Sequence, residues 1–246
     1  MANYAEVSLV RGLAWLAEAQ AAISHNLANV DTANFKRRAP QAIAAQNDFA
    51  AVLGSRLPTV RYQEHTNWQP GNSRETGHRL DVALDGQSWF RVQDGAGRVF
   101  YTRDGALQID KDGRLVTANG MAYLDQAGQP IQLGAGEDTP NELSIAPNGS
   151  LTDPLTGQTW GPLGVWKLQN ANGLTPAGSG LFTDASGQQA QLVADGVQQG
   201  YQEGSNVDSL QELVQMIVVQ RSFAGTQRAL SGVGRMQESL INNMLR

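Results

Sequence analysis

The chain has 246 residues with a formal net charge of −5, 41% of them hydrophobic and 17% charged, the composition of a folded protein and not of a disordered one. The acidic balance lacks the basic face that holding nucleic acid requires, and the absence of cysteine excludes disulfides, thiolate metal sites and a cysteine nucleophile. No run of about 18 apolar residues offers a membrane span. Glu6, Arg11 and Glu18 break the first apolar stretch where a cleaved signal peptide needs continuity, so export, if it occurs, is expected to leave the N-terminus uncleaved.

Residues 1–35 read as one helix and its exit. From Tyr4 to Val30 there is no proline and one glycine, and Leu9, Leu13, Leu16, Gln20, Ile23, Leu27 and Val30 follow alternating steps of four and three, a heptad seam interrupted only at Gln20. At 1.5 Å per residue such a helix runs about 40 Å. Asn26, Asn29 and Asn34 then recur where the helix should stop, since asparagine is a poor helix former whose amide serves neighbouring backbone groups. Asn34 suits a left-handed turn, and with Thr32 and Phe35 the segment is expected to lock a contact between subunits. Lys36-Arg37-Arg38 reads as a solvated basic face.

Residues 36–70 fit neither period well. They are expected to form a connector, with a weak helical piece over Gln41–Leu53 and an extended stretch between Pro58 and Pro70.

Residues 71–203 read as a β-rich domain. Leu80-Asp81-Val82-Ala83-Leu84-Asp85 alternates as a half-buried strand does. Turn pairs recur at Asp94-Gly95, Asp104-Gly105, Asp112-Gly113, Asn119-Gly120 and Ala127-Gly128, separated by short apolar pieces such as Trp89-Phe90 and Val99-Phe100-Tyr101. That spacing predicts antiparallel hairpins. A second stretch follows, with Leu143-Ser144-Ile145, an Asn148-Gly149 turn and Leu163 to Leu168.

Residues 204–246 answer the first segment. After Gly204-Ser205-Asn206, Ser209-Leu210-Gln211-Glu212 matches a capping box. Leu210, Leu213, Val214, Ile217, Val218 and Ala224 are expected on one face, and past Gly225 the stripe resumes in a shifted register at Leu230, Val233, Met236, Leu240 and Met244. Gly225, Gly232 and Gly234 each cost about 1 kcal/mol against alanine within a helix, so this helix needs packing in order to exist. The expected fold is α+β: a mainly antiparallel β body whose N- and C-terminal α-helices pair into a coiled-coil-like core and then pack against other chains.

No catalytic set emerges. His25, His65 and His78 are scattered, with the latter two expected in loops, and no metal site or cofactor is expected. Asp110-Lys111-Asp112-Gly113 opens like a calcium loop but has no glutamate at its twelfth position, and a turn explains it. Asn148-Gly149-Ser150 has the form of a glycosylation acceptor, and a tight turn accounts for it as well. Motifs for hydrolases, phosphate loops and zinc proteases are missing.

Asn26-Leu27-Ala28-Asn29-Val30-Asp31-Thr32-Ala33-Asn34-Phe35-Lys36 resembles the N-terminal signature Asn-x-Ala-Asn-x-x-Thr-x-Gly-(Phe or Tyr)-Lys of the flagellar basal-body rod and hook family. The departure is Asn34 in place of glycine. The resemblance continues at Leu80–Gly86, Tyr101–Gly105, Gly113–Thr117, Glu203–Asp208 and Gln220–Phe223, in the family's order. Length and the short connector are most similar to its proximal-rod, F-type branch. The resemblance implies a structural subunit, not an enzyme, that polymerises through its terminal helices and transmits torque. It also implies type III export into a periplasmic rod, and as partners other rod proteins, further copies and the export apparatus. The subunit contacts would then include Leu9, Leu13, Leu16, Ile23, Asn26, Leu27, Asn29, Val30, Thr32, Phe35, Ser205, Asn206, Leu210, Leu213, Val214, Ile217, Phe223, Leu230 and Leu240. Phe49 and Leu53 resemble the family's short export element. A distal-rod or hook subunit, or a secreted β-rich binding module, are the alternative readings.

Overall fold

A computed structural model describes residues 2–44, 60–134, 140, 142–194 and 196–244. The chain divides into two units: Met1–Val30, Arg37–Asn67 and Val207–Arg246 form a helical unit, while Asp31–Lys36 and Trp68–Asn206 form a β unit.

In the helical unit, α1 spans Ala2–Ala28, the strands β1 (Arg38–Ala44) and β2 (Val60–Thr66) pair antiparallel, and α2 spans Ser209–Met244. The helices meet through Leu16, Ala19, Ile23 and Val219, flanked by Trp15, Leu27, Met216 and Phe223. The start of α2 corrects the expected capping box by one residue. Asp208 is the cap: its Oδ1 accepts the Gln211 amide at 3.0 Å and its carbonyl accepts the Glu212 amide at 3.0 Å. Aspartate caps at least as well as serine, which leaves the Glu212 carboxylate for other partners. Past Gly225, Gly232 and Gly234 the helix continues unbroken.

The helical piece expected over Gln41–Leu53 is overturned where it is described. Gln41–Ala44 belong to β1, in a register running from Arg38↔Thr66 to Ala44↔Val60, and the rest of that piece lies outside the described residues. Helix preferences of a few tenths of a kcal/mol per residue yield readily to a continuous ladder, and Pro40 biases Ala39 toward extended backbone. His65, expected in a loop, is in β2.

In the β unit, short strands follow one another as β3 (Ser73–Glu75), β4 (Val82–Leu84), β5 (Ser88–Gln93), β6 (Val99–Thr102), β7 (Gln108–Ile109), β8 (Leu115–Val116) and β9 (Ala122–Tyr123). Next come β10 (Ser144–Ile145), β11 (Leu151–Thr152), β12 (Thr159–Trp160), β13 (Val165–Lys167), β14 (Leu174–Gly178), β15 (Leu181–Asp184), β16 (Gln191–Leu192), β17 (Val197–Gln199) and β18 (Tyr201–Glu203). The largest sheet orders as β14-β15-β6-β5-β9-β8-β7, with β13 on β5 and β16 on β13, and its pairings are antiparallel. Separately, β10, β11 and β12 form a small sheet, β17 pairs β4, and β18 pairs β3.

Both faces of β5 are covered. Phe90 and Val92 enter a core with Leu115, Tyr123, Leu133, Leu151 and Leu163, and Trp89 enters a second cluster with Trp68, Tyr101 and Phe182. There Trp68, Trp89 and Phe182 meet edge to face at 5.0–5.6 Å, the arrangement ring quadrupoles favour. The half-buried alternation expected around Val82 is corrected: Val82, Ala83 and Leu84 are all buried, because both faces of this short strand are packed. Asp104-Gly105 is likewise not a turn. A Cβ on Gly105 would lie 1.7 Å from the Val82 carbonyl, so glycine serves the close approach of two backbone segments.

Candidate functional site

Two carboxylates, one in each unit, organise the ends of the chain. In the helical unit the Glu212 side chain is fully buried. Its Oε1 accepts from Arg37 Nε, and its Oε2 accepts from Asn26 Nδ2 at 3.1 Å. The same Asn26 amide donates to the Arg38 carbonyl at 2.8 Å, and Asn26 Oδ1 accepts the Arg38 amide at 3.0 Å. One asparagine thereby joins α1, β1 and α2. Arg37 Nη2 also reaches Gln215 Oε1 at 3.1 Å.

In the β unit, Glu203 is buried with Lys36 and Arg103. Glu203 pairs through Oε1 with Lys36 Nζ and accepts the Gly71 amide at 2.9 Å, while Arg103 Nε donates to Oε2 at 2.7 Å. Lys36 Nζ also donates to the Gln69 carbonyl at 3.0 Å, and Arg103 spends its remaining donors on the carbonyls of Ser88 and Leu84. Burial pushes the Lys36 ammonium down to about 8, a shift the Glu203 charge opposes and Arg103 reinforces. For Glu203, burial acts to raise the pKa, but the charges of Arg103 and Lys36 outweigh it and hold the carboxyl below its usual range. Asn34 adopts φ 60°, the left-handed turn expected of it. It donates its amide to the Glu203 carbonyl at 3.0 Å and its Nδ2 to Asp104 Oδ1 at 3.3 Å.

The basic triplet is thus no solvated face. Lys36 is buried, Arg37 and Arg38 are half-buried, and the first two serve carboxylates more than 160 residues away in sequence. The Glu203 and Glu212 clusters were missed in the sequence. The available signal was three consecutive cations following an asparagine-rich helix end, with Glu203 and Glu212 flanking the start of the last helix.

The expected contact residues divide by placement. Leu16 and Ile23 are buried between the helices, Leu27 and Phe223 pack beside them, and Leu9, Leu13, Val30 and Leu230 are half-buried. Asn26 is sealed within its own chain. Asn29 Nδ2 donates to the His25 carbonyl at 2.8 Å, and Thr32 is exposed. The half-buried Phe35 accepts the Asn206 amide at 3.2 Å, and Asn206 Nδ2 donates to Gln69 at 2.8 Å. Ser205 is half-buried. The Leu240 side chain, Phe49 and Leu53 lie outside the described residues.

On α2 Glu212 and Val219 are buried and Met216, Phe223, Thr226, Leu230, Val233 and Gln237 half-buried, one continuous row at heptad spacing, with Gln215, Gly225 and Gly232 half-buried off that row. The shifted register expected after Gly225 is therefore two faces of one helix. Leu210, Leu213, Val214, Ile217 and Val218 lie about half a turn away at 3.6 residues per turn, with exposures of 50–71%. Beside them a groove of about 460 Å³ is lined by Trp15, Ala19, Pro40, Val214 and Val218. The Trp15 indole nitrogen is buried there without a hydrogen-bond partner among the described residues. Among those residues no group of histidines and carboxylates suits a metal, and no helix is long and apolar enough to cross a membrane.

Three family models match the chain: the flagella basal body rod protein model over residues 8–36, the flagellar hook protein FlgE/F/G D1 domain over 83–152, and the flagellar basal body rod FlgEFG protein C-terminal model over 198–244. The flagellar basal-body rod protein FlgG of Buchnera aphidicola (subsp. Acyrthosiphon pisum) is 32% identical over 246 residues, covering 89% of this chain and 91% of the relative. FlgF of Rhizobium meliloti is 32% identical over 82% of this chain and 81% of its own length. FlgF of Escherichia coli K12 is 32% identical over 87% of each. With the signature asparagine tying its terminal helices together, and with relatives matching along nearly all of its length, the chain belongs to the flagellar basal-body rod protein family.

Proposed function

We propose that this chain is a structural subunit of the flagellar basal-body rod, standing at its proximal end, which polymerises through its terminal helices in a coiled-coil-like core and passes torque along them. Copies of itself and other rod proteins are its partners. It reaches the periplasmic rod through the flagellar type III export apparatus without losing its N-terminus. Its role is mechanical and not catalytic.

The observation that carries the reading is the outward face of α2. Leu210, Leu213, Val214, Ile217 and Val218 form a patch that no described residue of the helical unit covers, and each such side chain gains about 1.5–3 kcal/mol on full burial. A helix apolar on two opposite sides belongs in an interior, and here a neighbouring subunit supplies one.

The test is a Leu213→Glu/Ile217→Glu variant, together with a chain truncated before Ile217. The point variant is expected to keep its helicity and its stability to within about 0.5 kcal/mol, because both positions are exposed, yet fail to enter the rod. The truncated chain should retain its β unit and also be excluded. Normal incorporation of either would sink the proposal. A distal-rod position is the second reading, favoured by the match to FlgG relatives along nearly their full length. Cross-linking to identified neighbours in the rod separates the two.

A further inference from the structure

We infer that the outward face of α2 beyond Val218 is an electrostatic docking surface for the acidic β unit of a second copy of this chain. Arg221, Arg228 and Arg235 stand seven residues apart and are all exposed, on the row opposite the buried Val219 and the half-buried Phe223 and Leu230. None of the three forms an ion pair among the described residues. Arg228 Nε turns back to the Ala224 carbonyl at 3.2 Å. The surface between the arginines consists of Ala224, Gly225, Ser231 and Gly232. A Cβ added at Gly225 or Gly232 would meet nothing within 4 Å, and neither has a positive φ. Inside this chain alanine would therefore serve the helix better, so the glycines are explained by the close approach of something outside it.

Charge identifies the occupant. The helical unit carries nine basic and seven acidic residues, whereas the β unit carries nine basic and sixteen acidic. Within the helices carboxylates are sparse: Glu6 and Glu18 on α1, Glu238 and the buried Glu212 on α2. Helix-to-helix docking thus offers few acidic partners for the arginines, whereas the β unit carries a net charge of −7. The contact joins unlike patches on two copies, so it propagates instead of closing into a pair. It goes beyond the apolar contact proposed above and uses different residues.

The experiment uses the full chain in sedimentation velocity at about 50 mM and about 500 mM salt, which changes screening from beyond 10 Å to under 5 Å. Self-association should weaken about tenfold at high salt, and by a similar factor in R221E/R228E/R235E. A photo-cross-linker at Ser231, in a mixture of isotopically light and heavy chains, should form inter-chain links into residues 71–203. Should the triple variant lose helicity by circular dichroism, R221Q/R228Q/R235Q takes its place. Monomers at every salt concentration, association unchanged by the arginine variants, or links confined to the helical unit each overturn the inference. If the arginine variants associate normally while Leu213→Glu/Ile217→Glu does not, only the docking surface falls and the apolar assembly stands.

Discussion

The β unit and the helical unit meet the same demand, burial of a carboxylate that ties distant parts of the chain, and they meet it unequally. Glu203 sits between two cations, both buried to within 2% of full enclosure, and adds the Gly71 amide. Glu212 has one cation, Arg37, whose side chain is 22% exposed, and the neutral Asn26. Among its described residues the β unit holds two apolar clusters and a charge network in which Glu203 is paired with both Lys36 and Arg103. The helical unit holds its seam through a small cluster, and among its described residues none covers the opposite side of α2. On the proposed reading, the first would fold alone and the second would be finished by its neighbours.

The largest test of this contrast is Glu203→Ala. Stranding Lys36 and Arg103 in the interior should cost about 3–5 kcal/mol, read by urea unfolding through tryptophan emission, since Trp68, Trp89, Trp160 and Trp166 belong to the β unit. A loss under about 1 kcal/mol would mean that water already enters the cluster. Glu212→Ala should cost less, about 2 kcal/mol, because Arg37 can turn to solvent. Its loss should show in far-ultraviolet helicity and leave the tryptophan transition in place, and a shared transition would dissolve the distinction between the units.

Acid and base sharpen the comparison further. The depressed pKa of Glu203 contributes stability that is fully present above about 4.5 and disappears as pH falls through the folded value. Lys36 has the opposite consequence. Between about 8 and 10.5 the unfolded chain keeps a proton that the folded chain releases, so β-unit stability should rise across that window, and Lys36→Met should flatten the rise. The smallest effect belongs to the helix: Gly225→Ala and Gly232→Ala should each stabilise the isolated chain by about 1 kcal/mol. No gain in thermal helicity would indicate that these glycines already have an intramolecular role.

What the sequence revealed depended on whether apolar pattern and burial coincide. On α1 they do, and the seam through Leu16 and Ile23 was legible. On α2 the greasiest stripe is the exposed one, and the packed row contains Glu212, Thr226 and Gln237, which no hydrophobic period would select. The turns at Asp112-Gly113 and Asn119-Gly120 were plain, because positive φ at Gly113 and Gly120 is written in the residue type. Asp104-Gly105 used the same letters for a different purpose, a close approach set by Val82 across the fold. The helical reading of Gln41–Ala44 failed for a similar reason, since its pairing partner begins at Val60. Most of the candidate surface was therefore visible as composition, and its orientation was not.

The sequence separation of 167 between Lys36 and Glu203 also sets a timetable. In any process that delivers the polypeptide from its first residue onward, the two cations arrive early and their anion arrives near the end. Until residue 203 emerges, enclosing Lys36 and Arg103 would leave them uncompensated, so the half-delivered chain has an electrostatic reason to stay open. Glu203 thus acts as a completion signal, letting the β unit close only when most of the chain has come through.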